Sequence, residues 1–184
     1  MSLQNIESII QNWLISLQFT EDTSKIAADY ITFFSLVLLS LLTFYIARRI
    51  FLYIIHRAPS KSKTNWDDIL AEQKFFKLLA YLVPSYIIYE FTPVILEPYP
   101  NTVAIIETVL NIYMILVVIL VFNAFLNGLA IIYQDFRVAK TRPIKGYVQI
   151  AKIVVYVIGV IVIISTLFGK NPIGIIGGLG AFSA

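Results

Sequence analysis

The sequence predicts an all-α protein that spans a membrane, and three observations lead to this prediction. The composition is 59% hydrophobic and only 14% charged, whereas a globular domain carries about a quarter charged residues. Four apolar segments are long enough to cross a bilayer, which takes about 20 helical residues. Basic residues collect between these segments rather than at their centres. The excess apolar surface is therefore expected to face lipid.

The N-terminal segment predicts an amphipathic helix that lies in the membrane interface. Apolar residues recur at helical spacing from Leu3 to Leu17. The polar face carries amides and one acid, Glu7, so it lacks the basic face of a helix that binds anionic lipid. No Lys or Arg precedes Lys25. The segment therefore lacks the basic start of a signal peptide.

Four spans are predicted at about residues 26–46, 75–96, 103–133 and 147–168. A fifth apolar helix is expected from Ile173 to the last residue, Ala184. Asn171 and Pro172 before it are the residue types of a helix N-cap and first turn. We divide the chain into an N-terminal amphipathic segment, a four-span region and the start of a Gly- and Ala-rich helix, at residues 1–25, 26–168 and 169–184.

Twelve of the fourteen Lys and Arg residues form two clusters next to the spans. The clusters are Arg48, Arg49, Arg57, Lys61, Lys63, Lys74 and Lys77, and then Arg137, Lys140, Arg142, Lys145 and Lys152. The turn at 97–101 has no basic residue. Because basic loops stay on the cytoplasmic side, both clusters are predicted to lie inside and the N-terminus outside. The residues expected at the lipid headgroups are Arg48, Arg49, Trp66, Lys74, Lys77, Arg142 and Lys145.

The residue types argue against an enzyme, a metal site or a bound cofactor. The chain has no Cys and a single histidine, His56, with no second ligand near it in the sequence. No hydrolase, zinc-protease or phosphate-loop motif is present. The net charge of +3 comes from residues that flank spans, so anionic headgroups explain it better than a nucleic-acid partner.

Four of the polar residues inside the predicted spans are candidates for a functional role. Glu90 is an acid in the second span, and either an outward-reaching side chain or an ion-coupling group fits it. Asn111, Asn123 and Asn127 lie in the third span, and the last two share a helix face because they are four residues apart. Amides of this kind join helices to each other or line a water path. Helix packing is the favoured interpretation.

Small residues in the fifth helix recur every four positions. The pairs are Gly174 with Gly178, Gly177 with Ala181, and Gly180 with Ala184. This spacing allows very close helix approach. The spacing alone fits both a packing face within one chain and a ring of identical helices around a pore.

The last 45 or so residues closely resemble a known channel family. The stretches are Arg142 to Tyr147 (RPIKGY), Ser165 to Pro172 (STLFGKNP) and Gly177 to Ala184 (GGLGAFSA). They are similar to the small-conductance mechanosensitive channel family, and most of all to its five-span miniconductance branch. The resemblance implies a homoheptamer in the bacterial inner membrane that conducts ions when tension opens it during hypoosmotic stress.

The resemblance also assigns a role to the fifth helix. Gly177, Gly178, Gly180, Ala181 and Ala184 correspond to the upper part of the family's pore helix, whereas Phe182 departs from the small residues common there. The resemblance implies that a pore constriction and a cytoplasmic β-rich domain follow Ala184. The chain is therefore expected to be the membrane part of a larger protein.

A second function class is a non-conducting membrane interaction protein or assembly subunit. A secondary transporter is a weaker third, because neither an internal repeat nor a pair of broken helices is evident. The oligomeric state separates the first two classes from each other most directly, since a strictly monomeric full-length protein would not form a pore between subunits.

The basic clusters generate a topology prediction. Cysteines introduced at Ser62 and Thr141 should resist an impermeant thiol reagent added outside intact cells, and a cysteine at Asn101 should react. The measurement is labelling of each single-cysteine variant in a chain that has no native Cys. Labelling of the Ser62 variant from outside would reverse the predicted orientation.

Overall fold

The computed structural model of the chain describes residues 3–57, 66–134, 136 and 144–182, and these residues contain seven α-helices and no strand. The helices are α1 (Leu3–Ser16), α2 (Glu21–Arg57), α3 (Trp66–Glu72), α4 (Phe75–Ile95), α5 (Pro100–Gln134), α6 (Lys145–Leu167) and α7 (Pro172–Phe182). Four of them, α2, α4, α5 and α6, are long and apolar enough to cross a membrane. The prediction of an all-helical multi-span protein is confirmed at this level.

The ends of most helices agree with the sequence prediction to within a few residues. The N-terminal helix is present, and α4, α5 and α6 coincide with the second to fourth predicted spans. Helix α7 begins at Pro172, and the Ile173 N–H donates a 2.9 Å hydrogen bond to the Asn171 side-chain oxygen. The predicted N-cap is therefore confirmed. Thr64 and Asp67 have the spacing of a capping box at the start of a helix, but Thr64 lies outside the described residues.

Helix α2 differs from the first predicted span at both ends. It begins at Glu21, so the division drawn between residues 25 and 26 falls inside it. Glu21 and Asp22 in its first turn suit the positive end of the helix dipole. Arg48 and Arg49 do not end the helix, which continues to Arg57. Long basic side chains are good helix formers, so a membrane boundary does not have to be a helix end.

A tight turn joins the short helix α3 to α4. Lys74 adopts a left-handed backbone conformation with φ of 63°. Its N–H donates to the Ala71 carbonyl, and the Gln73 N–H donates to the Ile69 carbonyl. This turn folds α3 back against the end of α5, where Leu70 contacts Gly128.

The spanning helices pack in chain order, and each neighbour runs antiparallel to the last. Phe44 of α2 stacks on Tyr81 of α4 with ring centroids 4.8 Å apart, and Tyr30 contacts Tyr99 near the other end. Phe75, at the start of α4, contacts Phe125 of α5 at 5.7 Å.

This arrangement gathers the basic residues of both clusters at one end of the bundle, which we call the basic end. The described members there are Arg48, Arg49, Lys74, Lys77, Lys145 and Lys152.

The interior of the bundle is built mainly from small residues. On α2 and α4 the fully buried residues include Ala28, Ser40, Ala80 and Thr92. Large apolar side chains such as Leu38 instead point outward, with 67% of its surface exposed. Small residues let helices approach closely, and outward leucines suit a lipid surround. The fold therefore has the inverted pattern expected of a membrane protein.

Gly159 marks the closest approach of α5 and α6. A Cβ atom built there would overlap both Cδ1 and Cγ1 of Ile119. At Gly128 the overlap involves the mobile tip of Leu70, whose Cδ2 would lie 2.6 Å from the new atom. Gly146, near the start of α6, has no atom of the described residues within 4 Å of such a Cβ. Of these three glycines, only Gly159 is required by tight interhelical packing.

We predict that Gly159→Ala lowers the free energy of unfolding by about 1 kcal/mol. Overpacking costs about 1–3 kcal/mol, which outweighs the ~1 kcal/mol that alanine gains over glycine in a helix. Gly146→Ala, the matched control, should be neutral or slightly stabilising. The measurement is reversible unfolding in mixed micelles followed by circular dichroism. Equal stability of the two variants would show that Ile119 moves aside freely.

Candidate functional site

The seam between α5 and α6 carries a polar bridge near the basic end. Lys152 of α6 donates a hydrogen bond from its ammonium to the side-chain oxygen of Asn127 on α5, at 2.5 Å. Both side chains are half-buried. The aliphatic stem of lysine packs on apolar surface while its charge is held by the amide. This bridge lies about two helical turns from the close contact at Gly159.

Beyond this bridge α5 and α6 diverge and leave a cleft of about 790 Å³. Its lining comes from the α3–α4 turn, the last turns of α5 and the first turns of α6. The lining residues are Gln73, Asn127, Ala130, Ile131, Tyr133, Gln134, Ile144, Lys145, Val148, Gln149 and Lys152. The cleft is thus at the basic end, where a membrane protein meets lipid headgroups.

The chemistry of the cleft matches an amphipathic anion. Its walls include apolar side chains, such as Ile131 and Val148, next to the two cations Lys145 and Lys152. Three glutamine amides add hydrogen-bond donors that do not titrate. Basic pockets between membrane helices are typical sites for phosphate-bearing lipid heads. The described residues of the cleft include no acid to repel such a group.

The predicted interface residues are spread around the basic end, and only some meet at the cleft. Lys145 lines it directly, and Lys74 is exposed in the adjacent turn. Lys77 is exposed on α4, and Trp66 is 47% exposed at the start of α3. Arg48 and Arg49 are exposed on α2. Arg142 lies outside the described residues.

Helix α7 presents an open glycine face. Gly174, Gly177 and Gly178 are exposed, and a Cβ atom built at any of them would have no neighbour within 4 Å. α7 packs principally against α6. The predicted small-residue face therefore has no partner among the described residues of its own chain. Gly180 and Ala181 fall within α7, and Ala184 lies outside the described residues.

The polar residues predicted inside spans have different environments. Glu90 is exposed on α4, which agrees with the outward-reaching interpretation. Asn127 joins α5 to α6, as the helix-packing interpretation predicts. Asn111 is half-buried. The side-chain oxygen of Asn123 is buried without a hydrogen-bond partner among the described residues.

Two buried polar residues of α2 were missed as site candidates in the sequence. Asp29 is only 1% exposed and Thr32 only 4% exposed, and neither carboxylate oxygen nor the threonine hydroxyl has a hydrogen-bond partner in the described part of the chain. The sequence analysis did not single out Asp29 or Thr32. The position of Asp29 inside the span predicted at 26–46 was the signal that it lies in the bundle.

Within the described ranges no cluster of three His, Cys, Asp or Glu side chains is placed to hold a metal ion. No protein-family model matches the chain, and no solved structure matches it. The resemblance to mechanosensitive channels therefore remains a prediction from the sequence. The site itself consists of the cleft at the basic end and the open face of α7.

The polar bridge predicts an energetic coupling between α5 and α6. A double-mutant cycle with Asn127→Leu and Lys152→Met should give a coupling of about 1 kcal/mol, in the range of interhelical hydrogen bonds in membranes. Asn111→Leu is the control, because its position is about 24 Å along α5 from Asn127. It should show no coupling to Lys152→Met. Equal coupling energies in the Asn127 and Asn111 cycles would show that the bridge has no specific role.

Proposed function

We propose that this chain is a subunit of a homoheptameric ion channel of the bacterial inner membrane, opened by membrane tension during hypoosmotic stress. Four helices suited to crossing a membrane support a multi-pass protein. The observation that carries the proposal is the open glycine face of α7. The channel activity itself rests on the resemblance of residues 142–184 to the mechanosensitive family.

The glycine face supports assembly from identical subunits. Glycines four residues apart are selected where another helix approaches closely. A Cβ atom built at Gly174 or Gly178 nevertheless meets no atom of the described residues within 4 Å. A second copy of α7 would fill this space. In a ring of subunits, each copy of α7 would pack against the next copy. The space that the ring encloses would be the ion path.

The outer helices suit the task of sensing tension. Their outward surface is rich in large apolar side chains, such as Leu38, Phe122 and Val157. A change of in-plane area couples to tension, so tension favours whichever conformation is wider. The cleft between α5 and α6 is open to lipid at the basic end. Lipids that occupy the cleft would hold the two helices apart in one state and leave in the other.

The test adds bulk to the glycine face. Gly178→Leu should still insert, since leucine is favoured both in lipid and in helices. Overpacking costs about 1–3 kcal/mol per contact and is repeated around a ring. We therefore expect fewer intact oligomers or a shifted tension threshold. The measurements are oligomer mass in detergent and patch recordings of the full-length protein in liposomes.

Gly146→Leu is the matched control, because it adds the same bulk at a glycine that is equally open but lies outside α7. It should leave both oligomer mass and threshold near those of the parent. If Gly178→Leu also matches the parent, α7 does not pack against copies of itself. Stable oligomers that pass no current under tension would overturn the channel and favour a non-conducting assembly subunit.

A further inference from the structure

Asp29 and Thr32 place three buried oxygens close together without hydrogen-bond partners. Residues three apart on a helix have Cβ atoms about 5–6 Å apart. Neither carboxylate oxygen of Asp29 accepts a hydrogen bond from Thr32 or from any other described residue. An isolated ionised carboxylate away from water is very costly. This cost is removed if the carboxylate binds a proton or a cation at this point of the bundle.

The antiparallel packing of α2 on α4 sets the level of these oxygens along the bundle. Asp29 shares a helix face with Ser40, eleven residues later, and Ser40 is next to the contact between Phe44 and Tyr81. Because α2 and α4 are antiparallel, Asp29 and Thr32 are level with the end of α4. The α4 residues at that level are Thr92, Ile95 and Leu96, all of them buried.

The end of α4 has the electrostatics of a cation site. Its last carbonyls carry the negative end of the helix dipole, and its last turn contains no basic residue. Pro93 has no N–H, so the Tyr89 carbonyl four residues earlier lacks its helical donor. Helix C-termini and freed backbone carbonyls are the groups that coordinate sodium ions inside membrane transporters.

We propose that Asp29 and Thr32 bind a dehydrated monovalent cation, with Na⁺ as the best-fitting ion, against the carboxyl end of α4. The carboxylate supplies the charge, and the threonine hydroxyl and α4 carbonyls supply neutral oxygens. A single buried acid balances one positive charge, which fits a monovalent better than a divalent ion. The cation links the start of α2 to the end of α4.

Other charged groups near this level do not replace the cation. Lys25 lies one helical turn before Asp29, but it is exposed and donates to neither carboxylate oxygen. Glu90 and Glu97 are both exposed, and they would attract rather than displace a cation. The first free N–H groups of α5, close to the Tyr30–Tyr99 contact, also donate to neither oxygen.

The test compares the melting temperature of the full-length protein in uncharged detergent with NaCl, KCl or N-methyl-D-glucamine chloride at equal ionic strength. A ligand that binds only the folded state raises the Tm, so Na⁺ should raise it by a few degrees over the bulky organic cation. Asp29→Asn should abolish the difference in Tm between Na⁺ and the organic cation. The Tm of this variant should be no lower than that of the parent in the organic cation. Thr32→Val should raise about tenfold the Na⁺ concentration that produces half of the increase in Tm.

Two control variants separate this site from its alternatives. Glu90→Gln removes an exposed acid and Lys25→Met removes the nearest cation, and both should keep the full response to Na⁺. A Na⁺ response that survives in Asp29→Asn would place the ion elsewhere. No difference among the salts in the parent would overturn the proposal. In that case, mild acidification could raise the Tm of the parent but not that of Asp29→Asn. This result would identify a proton as the charge that Asp29 holds.

Discussion

The requirement that every buried polar group be satisfied without water underlies the whole structure. In a bilayer each unpaired backbone group costs several kcal/mol, so a chain this apolar must be helical within the hydrocarbon. The same rule governs the side chains. The hydroxyls of Ser40, Ser85, Thr92 and Ser165 each donate to a carbonyl three or four residues earlier on their own helix. These hydroxyls can then be buried between helices as if they were small apolar groups. The interior is consequently made of small residues, and the large ones face outward.

Exceptions to this rule mark the places where the chain does more than pack. Asn127 cannot satisfy its side chain within its helix, and the Lys152 ammonium reaches it from α6. The bridge lies where α5 and α6 separate to form the cleft, so it limits how far the cleft extends into the bundle. Asp29 has no such partner among the described residues, and the proposed cation would balance its buried charge. The bridge between Asn127 and Lys152 joins two helices, so a force that separates α5 from α6 acts directly on this polar contact.

Much of the fold was predictable because apolar length and charge position are local properties of the sequence. The apolar runs predicted the ends of α4, α5 and α6 to within a few residues, and Asn171 with Pro172 located the start of α7. The extent of α2 beyond the apolar span at 26–46 was only partly foreseen, since the sequence allowed the helix to continue to Ile55 and it ends at Arg57. The cleft was not foreseen either. It forms where the last turns of α5 meet the first turns of α6 and the α3–α4 turn, and no single-sequence signal pairs residues of those elements.

The two ends of α6 have different mechanical roles. Near Gly159 it is held tightly to α5, while toward Lys145 the helices part and the cleft opens. At its other end a short turn through Gly169, with φ of 60°, connects it to α7. A displacement of α6 relative to α5 would therefore pivot about the tight contact and pass directly to α7 through that short turn. The glycine face of α7 lies on the element that would receive this motion, as the proposed tension-gated pore requires.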